Sequence, residues 1–161
     1  AYKFVSGGED SEEKNTGADG IIEVEVRHFA TGRVEAKALL VQAKKIWTRR
    51  NKKLLAQVRD MESLAKGSSA ALDYLPTGYI AVSGREVLAS EGDFRRVPSS
   101  EVVPLGDFLA DRFLVCEVGT RGLYYEPRRH LLHIPPSDGR PDAVFFLIRE
   151  RLRIEVEEMR Q

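Results

Sequence analysis

A run of apolar residues in the first third of the chain constrains the fold most strongly. Ala38 to Val41 are four consecutive apolar residues, and they lie within a segment, Val34 to Lys45, that is typical of a β-strand. A strand that is apolar on both faces is covered on both faces, as in the middle of a packed sheet. The chain therefore needs neighbouring strands and a covering layer around this segment.

The segment before it predicts the first neighbouring strand. Apolar and acidic residues alternate from Ile21 to Arg27, which is the pattern of a half-buried strand. A loop at Phe29 to Gly32, with Gly32 able to take a positive φ, would join the two strands as a hairpin. In that register Asp19 falls opposite Gln42, with Cβ atoms about 4.5–5.5 Å apart.

The remaining segments predict an α/β fold in which a mixed sheet is flanked by helices. We expect a helix over Asn51 to Lys66, because Leu54, Leu55, Val58, Met61 and Leu64 form an apolar stripe that ends before Gly67. Further predicted elements are a hairpin (Ser69–Tyr74 and Tyr79–Ser83), a short helix (Leu105–Val115), two short strands (Leu123–Tyr125 and His130–Ile134) and a terminal helix (Arg140–Gln161). The expected organisation is one domain over residues 1–161, with a core at about 10–90 and a C-terminal helical extension at about 100–161.

Composition excludes several classes of protein. Lys and Arg number 25 against 25 Asp and Glu, so any nucleic-acid site must be a local basic patch. The longest apolar run, Ala143 to Ile148, is too short for a membrane span. A single cysteine, Cys116, excludes a disulfide framework and, without a signal peptide, predicts a reducing, cytoplasmic location. Because the chain begins at Ala1, we expect it to be a piece of a longer protein.

Three polar residues at the predicted strand ends suggest a site that binds a metal ion and a phosphate. Gln42 and Lys44 point to the same face of a strand, and Asp19 would lie opposite Gln42. A carboxylate and an amide oxygen suit Mg²⁺, and an adjacent lysine can stabilise charge on a phosphate. A second carboxylate would come from Glu12 or Glu13, whose alternative role is that of a solvated terminus. From spacing alone, a polar strand end remains the alternative for all three residues.

These residues and their surroundings resemble a known family. Glu13, then Gly17-Ala18-Asp19, then Leu40-Val41-Gln42-Ala43-Lys44 is similar to the restriction-endonuclease-like PD-(D/E)XK nucleases, in the Mrr-like branch with a Q-x-K motif. The following helix (Leu54–Met61) and hairpin (Tyr74–Tyr79) resemble the same branch. The resemblance covers residues 12–84, about half of the chain.

The resemblance implies a restriction-endonuclease-like core and Mg²⁺- (or Mn²⁺-) dependent hydrolysis of DNA, as in microbial defence against foreign DNA. It assigns metal binding to Asp19, Gln42 and Glu13 (or Glu12), catalysis to Lys44, and a place lining the site to Gln57. The expected partner is then DNA, duplex in preference to single-stranded, and a second copy of the chain (a homodimer) or further domains are also expected. Because Gln42 replaces an acid and little chain precedes Glu12, a non-catalytic nucleic-acid-binding or assembly module is the alternative. A nuclease acting on RNA is a third hypothesis.

A basic run adjoins the predicted site. Phosphate contacts are expected from Lys45, Arg49, Arg50, Lys52 and Lys53, although such a run is also typical of a charged helix start. Trp47, within this run, could stack on a base or pack in the core. His130 and His133 have a ligand spacing, but no third ligand is evident, so no zinc site is predicted.

Overall fold

A mixed sheet of seven strands organises the computed structural model, which describes residues 18–115, 117–135 and 142–157. Its order is β10-β1-β2-β3-β4-β5, and β6 pairs with the first half of β2. A second, three-stranded sheet has the order β7-β8-β9. The strands are β1 (Gly20–Arg27), β2 (Val34–Lys45), β3 (Ser69–Leu75), β4 (Gly78–Ser83), β5 (Val103–Pro104), β6 (Thr120–Arg121), β7 (Tyr124–Glu126), β8 (Leu131–His133), β9 (Ala143–Phe145) and β10 (Glu150–Glu157). The predicted α/β class, a mixed sheet flanked by helices, is confirmed.

The helices are short and lie between these strands. They are α1 (Lys52–Leu64), α2 (Gly84–Ala89), α3 (Leu105–Phe108, continued by a π-helical turn over Leu109–Phe113) and two 3₁₀ turns (Phe94–Arg96 and Ser99–Glu101). Across the described ranges, none of these helices has the length and apolar character needed to traverse a bilayer.

The first hairpin has the predicted register. Gly20 lies opposite Val41 and Arg27 opposite Val34, and Asp19, directly before the first pair, donates its backbone N–H to Val41 O. Gly32 takes a φ of 64° in the connecting loop, as its lack of a side chain allows. The turn chemistry and the apolar alternation therefore specify the same pairing, which fixes the face on which each polar side chain emerges.

Strand β3 runs parallel to β2, and α1 supplies the crossover between them. Parallel neighbours need such a long connection, and a helix with one apolar face is the usual form. The Asn51 side chain caps α1 by accepting a hydrogen bond from the Leu54 backbone N–H at 2.9 Å. Leu54, Val58 and Met61 are fully buried against the sheet. The helix predicted over Asn51 to Lys66 is confirmed as α1. The hairpin predicted over Ser69–Tyr74 and Tyr79–Ser83 is confirmed as the antiparallel pair β3 and β4.

The sheet is covered on both faces. On one face α1, α2 and the β7–β9 sheet cover Ile21, Leu40 and Ala71. On the other face Phe108 and Phe113, from α3 and its π-helical continuation, pack against Ile22, Leu39 and Leu72. The face that carries α1 is called the α1 face below. Alternation along the strands places Asp19, Gln42, Lys44 and Asp73 on this α1 face.

The predicted terminal helix over Arg140–Gln161 is wrong in its described part, and with it the C-terminal helical extension. Residues 143–145 and 150–157 form β9 and β10, and β10 pairs in parallel with β1 from Gly20 opposite Glu150 onward. Leu152, Ile154 and Val156 alternate with charged residues, which is the two-residue period of a strand. The open edge of β1 provides hydrogen-bond partners that a surface helix would leave unpaired.

Candidate functional site

Asp19 and Gln42 meet at the end of the β1–β2 hairpin. Both residues are buried, with 3% and 1% of their surfaces exposed. One oxygen of Asp19, Oδ2, accepts hydrogen bonds from Gln42 Nε2 and from the Ala43 backbone N–H, the latter at 2.9 Å. The Asp19 backbone joins neighbours on both sides, because its N–H donates to Val41 O and its carbonyl accepts from the Glu150 N–H. The carboxylate therefore contacts β2, while the Asp19 backbone joins β2 and β10.

Lys44 lies two residues beyond Gln42 on the same face and is half-buried. Its Cα partner in the parallel strand β3 is Asp73, which is 4% exposed. The α1 face therefore carries two carboxylates at this end of the sheet, one on each side of β2. Asp73 was not predicted as a site residue. Its signal in the sequence is an isolated acid within an otherwise apolar strand, Ser69–Leu75, but its position beside Lys44 depends on the parallel pairing of β2 and β3.

Three buried oxygens in this region have no hydrogen-bond partner among the described residues. They are Gln42 Oε1, Gln57 Oε1 and Asp73 Oδ1. Gln57 projects from the buried side of α1, one turn from Met61, as the sequence predicted. Leaving a buried polar atom unpaired costs about 1–3 kcal/mol. Oxygen is the donor that hard cations prefer, so these atoms are candidate ligands.

The chain turns sharply directly after Lys44 and Lys45. Ile46 has a φ of 62°, a left-handed conformation that costs a β-branched residue about 1–3 kcal/mol. The next residue fixes the turn, since the Trp47 N–H donates to Asp73 Oδ2 and its indole N–H donates to Gly92 O, each at 3.1 Å. Trp47 is 2% exposed and packs edge-on against Phe94. It is a core residue, which settles the choice between stacking on a base and packing.

The predicted basic residues form an exposed surface beyond this turn. All five are exposed: Lys45, Arg49, Arg50, Lys52 and Lys53. Within the described part of the chain, no acidic side chain pairs with Lys45, Arg49, Arg50 or Lys52. Positive charge at this surface is thus available to an anionic partner.

Asp93, an acid near the basic run, is neutralised by Arg95. Asp93 accepts hydrogen bonds from the Arg95 guanidinium at 2.8 and 3.0 Å and forms a backbone bridge with Arg50. The side-chain hydrogen bonds from Arg95 hold the pKa of Asp93 below its ordinary value. Asp93 therefore stays ionised near neutral pH and is committed to Arg95, not to the basic run.

A further buried carboxylate on the α1 face has a structural role. Glu23, two positions after Ile21 on β1, is 5% exposed. Its Oε1 accepts the Tyr125 backbone N–H at 2.8 Å, and its Oε2 accepts Arg151 Nε at 2.5 Å. It ties β1 to β10 and to the smaller sheet.

Two further pairs of candidate residues were considered in the sequence, Glu12 with Glu13 and His130 with His133. Glu12 and Glu13 lie outside the described residues. In the described ranges, no cluster of three or more His, Cys, Asp or Glu side chains is arranged to hold a metal ion. His133 contacts Glu126 at 2.9 Å and His130 contacts the Tyr125 hydroxyl at 3.1 Å, so each histidine has its own local partner.

Comparison with known proteins adds no family: no family model, no curated sequence and no solved structure matches this chain. The residues of the α1 face and the basic run are therefore the basis for a proposed function.

Proposed function

We propose that this chain is a Mg²⁺-dependent nuclease domain with a restriction-endonuclease-like core, which hydrolyses phosphodiester bonds in DNA. The observation that carries the proposal is the contact of buried Asp19 with Gln42, two residues from Lys44 on one face of a central strand. A cleavage site needs a place for a cation, a cationic group near the phosphate and a surface that holds the duplex, and the α1 face with its adjoining basic run has candidates for each.

The donors fit a hard cation. Asp19 offers a carboxylate, and Gln42 offers an amide oxygen that has no partner in the described structure. Mg²⁺ is commonly bound by one or two carboxylates and keeps several water ligands, so a small protein donor set is adequate. Glu13 is the proposed additional acid. When bound, the ion would lower the pKa of a coordinated water and offset negative charge on the phosphate.

The residues of the chain have separate tasks in this proposal. Lys44 provides an ammonium group that stabilises charge on the phosphoryl oxygens as the bond to the leaving oxygen breaks. Asp73 lies beside Lys44 on β3. Gln57 lines the site from α1. Lys45, Arg49, Arg50, Lys52 and Lys53 contact phosphates without reading sequence.

A second candidate, a non-catalytic module that binds nucleic acid, is favoured by one observation. Asp19 Oδ2 already accepts two hydrogen bonds from the protein, from Gln42 Nε2 and from the Ala43 N–H. An oxygen so engaged is a weaker ligand, and the amide at position 42 brings no negative charge. This candidate predicts salt-dependent binding that is indifferent to Mg²⁺.

The test compares purified wild-type protein with Lys44→Ala and with Lys66→Ala, an exposed lysine just beyond the end of α1. Plasmid DNA, single-stranded DNA and RNA are incubated with Mg²⁺, Mn²⁺ or EDTA. We expect DNA cleavage that requires the metal, is reduced about 100-fold or more in Lys44→Ala, and is unchanged in Lys66→Ala.

Equal cleavage by wild type and Lys44→Ala would overturn the site assignment. Tight, salt-sensitive binding without products under any metal condition would favour the non-catalytic module. Cleavage of RNA with DNA left intact would change the substrate. Defence against foreign DNA is the biological context that the proposed chemistry fits.

A further inference from the structure

The turn between β2 and α1 exposes an apolar residue, Ile46. Packing within the fold explains neither its exposure nor its backbone conformation. Ile46 is 70% exposed, while Trp47 beside it is 2% exposed. Its φ of 62° is unfavourable for a β-branched residue, and glycine or asparagine adopts it more readily. With little packing to compensate, an isoleucine here lowers the stability of the fold.

The turn that presents Ile46 is rigidly held. Trp47 is bound through its N–H to Asp73 and through its indole to Gly92. Gly92 O also accepts the Asn51 N–H at 2.9 Å, so both ends of the segment from Trp47 to Asn51 are fixed to the same loop. An exposed side chain on a fixed turn loses little entropy when it is immobilised by a partner.

Its neighbours indicate the chemistry of that partner. Lys45 precedes Ile46, and four further exposed cationic residues follow within the next seven positions: Arg49, Arg50, Lys52 and Lys53. An apolar side chain among cations is the arrangement by which proteins hold phosphates while placing a hydrophobic group against bases and sugars in a groove.

We propose that Ile46 is an apolar contact to duplex DNA, which enters a groove while the surrounding cations hold the flanking phosphates. This inference deepens the proposed function and rests on it. Ile46 lies two residues beyond Lys44, so the contact would fix the position of the duplex relative to the proposed catalytic lysine.

The test measures the affinity of a short fluorescein-labelled DNA duplex by anisotropy in EDTA, across a salt series, for wild type, Ile46→Asn and Ile46→Leu. Asparagine tolerates the backbone conformation but removes the apolar surface, while leucine keeps that surface. We expect Ile46→Asn to weaken binding about tenfold and Ile46→Leu to bind as wild type does. The slope of affinity against salt should not change, because no phosphate contact is removed.

Thermal unfolding of the same proteins separates binding from folding, and Ile46→Asn should be at least as stable as wild type because the strain is relieved. Equal binding by Ile46→Asn and wild type would overturn the inference and leave the nuclease proposal standing. Absence of salt-dependent binding by wild type would instead overturn the proposed function, and this inference with it.

Discussion

Two buried carboxylates on the α1 face, Asp19 just before β1 and Glu23 within β1, are held differently. Glu23 contacts the Arg151 guanidinium and a backbone N–H, so its charge is neutralised and both oxygens are bound within the structure. The donors described for Asp19 are an amide and a backbone N–H, both neutral, and both act on one oxygen. The Glu23–Arg151 pair stabilises the fold, whereas in our proposal Asp19 binds a cation together with the amide oxygen of Gln42.

The largest expected effect is on catalysis at Asp19. An asparagine oxygen can accept the same hydrogen bonds from Gln42 and Ala43, so Asp19→Asn should keep the fold while removing the negative charge. We expect the rate of Mg²⁺-dependent DNA cleavage to fall about 100- to 1,000-fold, with a melting temperature close to that of wild type. Cleavage assays and thermal unfolding on the same preparations check this, with Asp60→Asn, an exposed acid on α1, as control. Retained activity would show that the carboxylate is structural, like Glu23.

The next effect is on stability at Glu23. Replacing Glu23 by Gln leaves an acceptor for Tyr125 but removes the charged partner of Arg151. We expect the free energy of unfolding to fall by about 1–3 kcal/mol, a range that allows for the partial exposure of Arg151. Urea unfolding measures this change. Per folded molecule, cleavage should stay near the wild-type rate. A loss as large as that of Asp19→Asn would abolish the distinction between the two carboxylates.

The smallest effect is a pH dependence at Asp93, which pairs with the exposed Arg95. Because the pKa of Asp93 is lowered in the folded state, the pair contributes stability above the unfolded-state pKa. That contribution is lost as the pH falls through the folded-state pKa. Asp93→Asn should therefore unfold with a weaker dependence on pH in the acid range, as measured by urea titrations at several pH values. An unchanged dependence would show that the pair contributes nothing.

Local sequence patterns were enough to predict the strands and the helix near the candidate site. The alternation in Ile21–Arg27, the apolar run at Ala38–Val41 and the helix stripe from Leu54 each reflect burial that neighbouring residues reveal. The fold beyond them depends on distant partners. Apolar residues at Ile148, Leu152 and Val156 fit a helical spacing, but the strand is formed because β1 has an edge to pair. No local pattern contains that information.

The same limit applies to the site. The register of the β1–β2 hairpin was enough to bring Asp19 to Gln42, because only a short loop separates these two strands. Asp73 and the turn at Ile46 could not be predicted, since they depend on how the crossover through α1 returns the chain beside β2. The roles of Asp19, Gln42, Lys44 and Gln57 remain predictions that the experiments above test.

The pairing of β1 with β10 has a consequence for how the protein is made. Glu23 and Arg151, which join these strands, are separated by 128 residues. At about 5–20 residues per second, a ribosome needs on the order of ten seconds to pass from one strand to the other. During that interval a nascent chain displays the bare edge of β1, where other unfinished chains can add. Translation speed and chaperone access should thus influence how much active protein a cell obtains.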